Sequence, residues 1–96
     1  MSIEQHDTEQ LIDHLFRHQS GKMVAVLTHV VGLKNLHLIE DLVQDSFVSA
    51  LQHWKLKGVP AEPAAWLMQT AKHKAIDLLR RLNYHTRYIQ SQTNQN

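Results

Sequence analysis

The chain has 96 residues with 43% hydrophobic side chains, which is enough for the core of one small domain and leaves little for a second. It contains no cysteine, so it can form neither a disulfide framework nor a thiolate metal site. The N-terminus is polar and acidic rather than a secretory signal, and no apolar run reaches the roughly 20 residues of a membrane span. We therefore expect a soluble cytoplasmic domain that makes no membrane contact.

The formal net charge of +1 conceals an uneven distribution along the chain. Residues 1–71 hold five basic and eight acidic side chains, whereas residues 72–96 hold five basic side chains and Asp77 as their one acid. An acidic body with a basic C-terminal segment indicates two partners of opposite character. Chance in a short chain is the alternative explanation.

Apolar residues recur at helical spacing in three successive segments, which predicts an all-α fold, a small bundle of three to four helices. The first helix is expected to begin at an N-cap formed by Asp7 or Thr8 and to stop at Gly32. Within it, Ser20 and Gly21 predict a kink or a break, after which the apolar periodicity resumes.

The second helix is predicted over about residues 36–54, with Asn35 as its cap. The segment KLKGVPAEP then breaks helical structure with one glycine and two prolines. Pro63 suits the first turn of a third helix, which we extend to about Tyr88.

The apolar faces of these three helices predict the core. The expected core residues are Leu11, Ile12, Leu15, Phe16, Met23, Val26, Leu27, Val30, Leu36, Ile39, Val43, Phe47, Ala50, Leu51, Trp54, Leu67, Met68, Ala71, Ala75, Leu78, Leu79 and Leu82.

The outward face of the second helix is acidic. Asp41 and Asp45 are four residues apart, a like-charge pair that mildly destabilises an isolated helix. Glu40 and Gln44 lie beside them. A sequence that keeps such a pair favours docking to a basic partner, and the alternative is a solvated acidic face.

The third helix has a basic face opposite its apolar one. Its polar residues are Gln69, Lys72, His73, Asp77, Arg80, Asn83 and Arg87, with Trp66 and Tyr84 at the edge. A basic face flanked by aromatic rings is typical of a helix that contacts nucleic acid. The alternative is an ordinary amphipathic surface helix.

The sequence predicts no metal site, no other cofactor and no catalysis. His14 and His18 are four residues apart and could share an ion, but a metal site needs a third or fourth ligand. Neither a nucleophile motif nor a phosphate-binding loop is present. We therefore expect a protein that is not an enzyme, and a metal-dependent histidine bundle is the least favoured alternative.

Two strings resemble a known family. IEDLVQDSFVSAL (39–51) and HWKLKGVPAEPAAWLMQTAKHKAIDLLRR (53–81) are similar to region 2 of a bacterial RNA polymerase sigma factor of the extracytoplasmic-function (ECF) group. The resemblance covers about residues 11–81. It implies a transcription initiation factor domain over residues 1–90, with residues 91–96 as a polar tail or the start of a linker. The family's region 4 is expected to be absent from this chain.

The resemblance also implies site residues. Docking on the clamp helices of the polymerase β′ subunit would involve Glu40, Asp41, Gln44 and Asp45. Recognition and melting of the promoter minus-ten element, mainly as single-stranded DNA, would involve Lys55, Lys57, Trp66, Gln69, Lys72, His73, Arg80, Tyr84 and Arg87. Many relatives carry asparagine where this chain has His73, so their base preference is not transferred.

Further partners follow from the same resemblance. They are an anti-sigma factor or a regulatory C-terminal domain, and a second copy of the chain that packs in crystals through Leu38 and Val48. A helical protein-interaction module without a role in DNA binding is the alternative function.

Overall fold

The computed structural model describes the backbone of residues 2–94 and the side chains of residues 7–83. Three α-helices follow one another: α1 (Ser2–Val31), α2 (Leu36–Lys57) and α3 (Pro63–Asn94). A short 3-10 turn (Leu33–Asn35) joins α1 to α2, and each α-helix packs against the other two. No strand occurs among the described residues, so the predicted all-α bundle is confirmed.

The predicted start and interruption of α1 are wrong. The helix begins at Ser2, before the expected caps Asp7 and Thr8, because the polar N-terminal residues contain no glycine or proline that would stop it. It also continues without a break through Ser20 and Gly21. Gly21 has no positive φ, so its backbone conformation is compatible with an uninterrupted helix.

The helix ends depend on two glycines. Gly32 and Gly58 have φ values of 105° and 91°, which other residues rarely adopt. Gly32 directly follows the last residue of α1, and Gly58 directly follows the last residue of α2. Their N–H groups donate to the carbonyls of Thr28 (2.9 Å) and Trp54 (2.8 Å), four residues earlier. Gly32 is thus confirmed as the stop of α1, and α2 extends to Lys57, three residues beyond its predicted end.

Asn35 occupies the N-cap position of α2 but does not cap it with its side chain. Its Nδ2 instead donates to the carbonyl oxygen of Val31 at 3.3 Å. The amide therefore satisfies a carbonyl at the end of α1 and links the two helices across the turn. Pro63 begins α3 as predicted, and this helix continues to Asn94 rather than ending near Tyr88.

The core lies where the three apolar faces meet. Its buried apolar residues are Leu15, Met23, Leu27, Val31, Ile39, Leu42, Val43, Phe47, Ala50, Trp54, Leu67, Ala71, Ala75 and Leu78. Two predicted members are wrong, because Phe16 is 41% and Val30 48% exposed. The remaining predicted core residues are half-buried at the margins.

One buried residue of α2 is polar. Ser46 is fully buried, and its hydroxyl donates to the carbonyl of Leu42 at 2.9 Å. The helix backbone thus supplies the hydrogen bond that a buried hydroxyl needs.

Candidate functional surfaces

The acidic residues of α2 form one exposed surface, which we call the α2 ridge: Glu40, Asp41, Gln44 and Asp45. Glu40 Oε1 lies 3.9 Å from His37 Nδ1, whose side chain is 99% exposed, so this contact is weak. Asp41 and Asp45 form no ion pair within the described part of the chain. The ridge therefore presents two carboxylates, Asp41 and Asp45, that are not ion-paired with any of the described residues.

A groove of about 720 Å³ separates the α2 ridge from α3. The residues that line it are Leu38, Asp41, Leu42, Asp45, Lys74, Asp77, Leu78, Arg80 and Arg81. One wall carries two carboxylates of α2, and the other carries three cations and the carboxylate of Asp77 from α3. No ion pair within 4.0 Å joins the described residues of the two walls. The structure thus brings Asp41 and Asp45 to the same groove as Arg80.

A second, smaller groove of about 290 Å³ lies on the other side of the α2 ridge, between α1 and α2. It is lined by Phe16, Ser20, Gly21, Val24, Glu40, Val43 and Gln44. Phe16 packs edge-on against the buried Phe47, with ring centroids 5.1 Å apart, and leaves part of its own ring exposed. The sequence does not predict this groove, because the helical periodicity places Phe16 in the core.

The predicted basic face of α3 is exposed where the structure describes it. Gln69, Lys72, His73 and Arg80 are all exposed. Ile76, which is 43% exposed, lies at the same helical spacing among them, and the polar pattern of this face does not predict it. Its hydrophobicity interrupts the polar pattern, and that interruption is the signal that could have revealed it.

Tyr84 and Arg87, the last two predicted DNA-contacting residues, lie outside the residues whose side chains the structure describes.

Trp66 is held partly inside the fold. It is half-buried near the start of α3, and its ring lies edge-on to that of Trp54 with a centroid distance of 5.3 Å. His53 lies against it at 5.5 Å. These contacts give Trp66 a packing role. The rest of its ring is exposed to solvent and can contact a ligand.

The end of α2 and the following loop combine cations with exposed apolar groups. Lys55 Nζ lies 3.2 Å from Glu9 Oε1 of α1, so one predicted DNA-contacting cation is already paired. Lys57 is exposed, and Leu56 between them is 87% exposed.

His14 and His18 contact each other, with ring centroids 4.3 Å apart. Within the described residues, no third histidine, cysteine or carboxylate joins them in a cluster that could hold a metal ion. Among the same residues, no helix is long and apolar enough to cross a membrane.

Comparison with known proteins identifies the domain. The family model of sigma-70 region 2 matches residues 12–84, which is most of the chain. A relative is an uncharacterized protein of Rhizobium meliloti (strain 1021), 38% identical over 53 residues. The match covers 55% of this chain and 12% of that protein, so the chain spans only a small part of the relative's length. No solved structure matches the chain significantly.

Proposed function

Because this chain belongs to the sigma-70 region 2 family, we propose that it binds the clamp helices of the RNA polymerase β′ subunit and recognises and melts the promoter minus-ten element. The family is a sigma-factor domain that acts in transcription initiation and promoter recognition. The observation that carries the finer proposal is the separation of charge between two packed helices, with carboxylates on the α2 ridge and cations on α3.

The α2 ridge is the proposed polymerase contact. Asp41 and Asp45 are exposed and unpaired among the described residues, so a basic partner can bind them without first breaking an ion pair of 4.0 Å or less. Charges at the rim of an interface set the orientation and rate of docking. Gln44 can both donate and accept hydrogen bonds and suits a polar contact beside them.

The exposed face of α3 is the proposed promoter contact. Lys72 and Arg80 supply cations for phosphates, and Gln69 and His73 supply donors and acceptors for bases. Melted DNA also needs flat groups on which bases stack, worth about 1–3 kcal/mol per base. Trp66, which is half-buried and oriented by its contacts with His53 and Trp54, can offer the exposed part of its ring for this purpose.

Several finer attributes belong to the same proposal. The chain would be of the ECF group, would act in the cytoplasm without enzymatic activity of its own, and would respond to an anti-sigma factor or a regulatory C-terminal domain. Leu38 and Val48, which are 42% and 54% exposed, are available for the homodimer contact expected in crystals.

The test is an isothermal calorimetric titration of the chain with an isolated clamp-helix fragment of a bacterial β′ subunit. We expect micromolar-range binding, weakened about ten-fold or more in Asp41→Arg because the ridge loses a carboxylate and gains a cation. Asp7→Arg is the matched control, because it makes the same charge change at an exposed position of α1 that lies outside the α2 ridge. Equal weakening in both variants, or no binding by the parent chain, would contradict the proposed docking.

Exposed Ile76 favours one second candidate, a helical protein-interaction module without a role in DNA binding. An apolar side chain in the middle of a basic face suits contact with another protein as well as contact with bases. Reversal of the charges around it separates the two functions, because only promoter binding requires those cations.

A further inference from the structure

His14 and His18 form an exposed pair of imidazoles on α1. They are four residues apart, so they lie one above the other on the same side of the helix, and their ring centroids are 4.3 Å apart. Both side chains are exposed, so neither ring is needed for the core. Neither residue lines either of the two grooves. The pair is therefore a separate surface feature that the proposed function does not use.

The separation of the two rings suits two ligands of one metal ion. With metal–nitrogen bonds of about 2.0–2.1 Å, the centroids of two imidazoles lie about 4.5 Å apart at a right angle and about 5.1 Å apart at a tetrahedral angle. The observed 4.3 Å is close to the first value. Imidazole suits zinc, copper and nickel, and square-planar nitrogen sites are typical of Cu²⁺ and Ni²⁺. Cu²⁺, which nitrogen sites bind most tightly in this series, fits the pair best.

One copy of the chain supplies half of such a site. Among the residues whose side chains are described, no third histidine, cysteine or carboxylate joins the pair in a cluster that could hold a metal ion. A two-fold symmetric dimer places the same surface of each copy against that of the other. The pair of one copy can then face the pair of the second, and four imidazoles complete a four-coordinate site.

Residues on either side of the pair suit a contact between two α1 helices. Leu11 lies three positions before His14, and Gly21 lies three positions after His18. Where two α1 helices cross in antiparallel directions at the pair, Leu11 of one copy comes opposite Gly21 of the other. A Cβ atom built on Gly21 meets no atom within 4 Å, so this position has room for a side chain from outside. The glycine thus lets the second helix approach closely.

We propose that His14 and His18 bind a divalent transition-metal ion, best fitted by Cu²⁺, together with the same two histidines of a second copy. The site is incomplete in one chain, so metal binding and dimer formation occur together. The inference does not depend on the proposed function, because none of its residues belongs to the α2 ridge or to α3.

The experiment titrates the full chain, without an affinity tag, with Cu²⁺ in a calorimeter and follows its mass by sedimentation velocity. The test variant carries His14→Ala and His18→Ala. The matched control carries His29→Ala and His37→Ala, which also removes two exposed histidines but ones that make no described ring contact with each other. Melting curves first show that each variant is folded, and Mg²⁺, which prefers oxygen ligands, controls for ionic strength.

We expect the parent to bind one Cu²⁺ per two chains and to become a dimer, whereas Mg²⁺ leaves it unchanged. The test variant should bind Cu²⁺ at least about ten-fold more weakly and stay monomeric, because the ligands are gone, and the control should stay within about two-fold of the parent. Equal binding by the test variant and the parent would overturn the inference. One Cu²⁺ per chain without a dimer would also overturn it, since the site would then not be shared.

A further variant tests the antiparallel arrangement while it keeps all four ligands. Gly21→Leu fills the space that we assign to Leu11 of the second copy, so we expect Cu²⁺-dependent dimer formation to weaken about ten-fold or more. His37→Leu is the control, because it adds the same side chain at a 99% exposed position outside α1. Unchanged dimer formation by a folded Gly21→Leu would overturn the antiparallel crossing.

Discussion

Lys55 is a cation whose availability depends on a residue far away in the sequence. Its Nζ lies 3.2 Å from Glu9 Oε1, although the two residues are 46 positions apart. Both side chains are partly exposed, so the pair contributes at most about 1 kcal/mol to stability. In the proposed promoter contact, its larger effect would be on DNA binding, because a lysine that holds a carboxylate is less available to a phosphate.

We expect Glu9→Gln to strengthen binding of a single-stranded oligonucleotide, because it frees Lys55. The dependence of log affinity on log salt concentration should steepen by up to about 0.7, the value for one phosphate contact. Fluorescence anisotropy over a potassium chloride series measures both quantities.

Asp13→Asn is the matched control, since it removes the same charge and frees Arg17 on α1 instead. If both variants strengthened binding equally, net charge alone would account for the effect. A phosphate contact by Lys55 would then be contradicted.

Individual core residues could be predicted from periodicity, but contacts between helices could not. Trp54 was expected in the core and is 2% exposed. Phe16 follows the same helical pattern as Leu15, yet it lies at the edge of the α1–α2 contact and keeps part of its ring exposed. Periodicity gives the apolar side of a helix, whereas burial at its margin depends on how closely the neighbouring helix approaches.

At the scale of helices, the glycines differ in what their backbones require. Gly21 lies inside α1 with helical φ, whereas Gly32 ends α1 with φ of 105°. An added Cβ meets no atom within 4 Å at either position, so side-chain space is equal and only backbone conformation distinguishes the two.

We therefore expect opposite effects of the same substitution. Gly21→Ala should raise the free energy of unfolding by roughly 1 kcal/mol and the melting temperature by about 4–8 °C. Gly32→Ala should lower stability by about 1 kcal/mol or more, since alanine is strained at positive φ. Thermal unfolding followed by circular dichroism measures both; a stabilised Gly32→Ala would contradict this account.

Helix ends were predictable where glycine or proline fixes the backbone, as at Gly32 and Pro63. They were not predictable at the start of α1 or the end of α3, where polar residues carry no apolar pattern and no breaker. Asn35 was correctly expected at the start of α2, but its side chain bonds to Val31 of the preceding helix. A sequence pattern cannot tell which of two adjacent helices such an amide will serve.

At the scale of the whole domain, promoter binding and the protein-interaction module predict different effects of reversing the charges on α3. Lys72→Glu with Arg80→Glu should abolish single-stranded DNA binding and promoter opening with core polymerase, because the exposed face of α3 loses its attraction for phosphates. Clamp-fragment binding should persist. Permanganate footprinting of a promoter reports opening.

The matched control is Lys22→Glu with Lys34→Glu, two exposed lysines on α1 and on the turn after it, whose reversal changes the net charge equally. Retained promoter opening in the α3 variant would favour the protein-interaction module. Loss of opening in both variants would attribute the effect to net charge rather than to α3.

The groove between α2 and α3 has a thermodynamic consequence of its own. Carboxylates on one wall lower the electrostatic potential felt by DNA approaching the cations on the other wall. If α3 contacts DNA as proposed, a basic protein that neutralises Asp41 and Asp45 would raise the affinity of α3 for phosphates. By linkage, DNA bound on α3 would raise the affinity of the domain for that protein by the same factor. The free domain would thus hold promoters weakly, and each ligand would recruit the other.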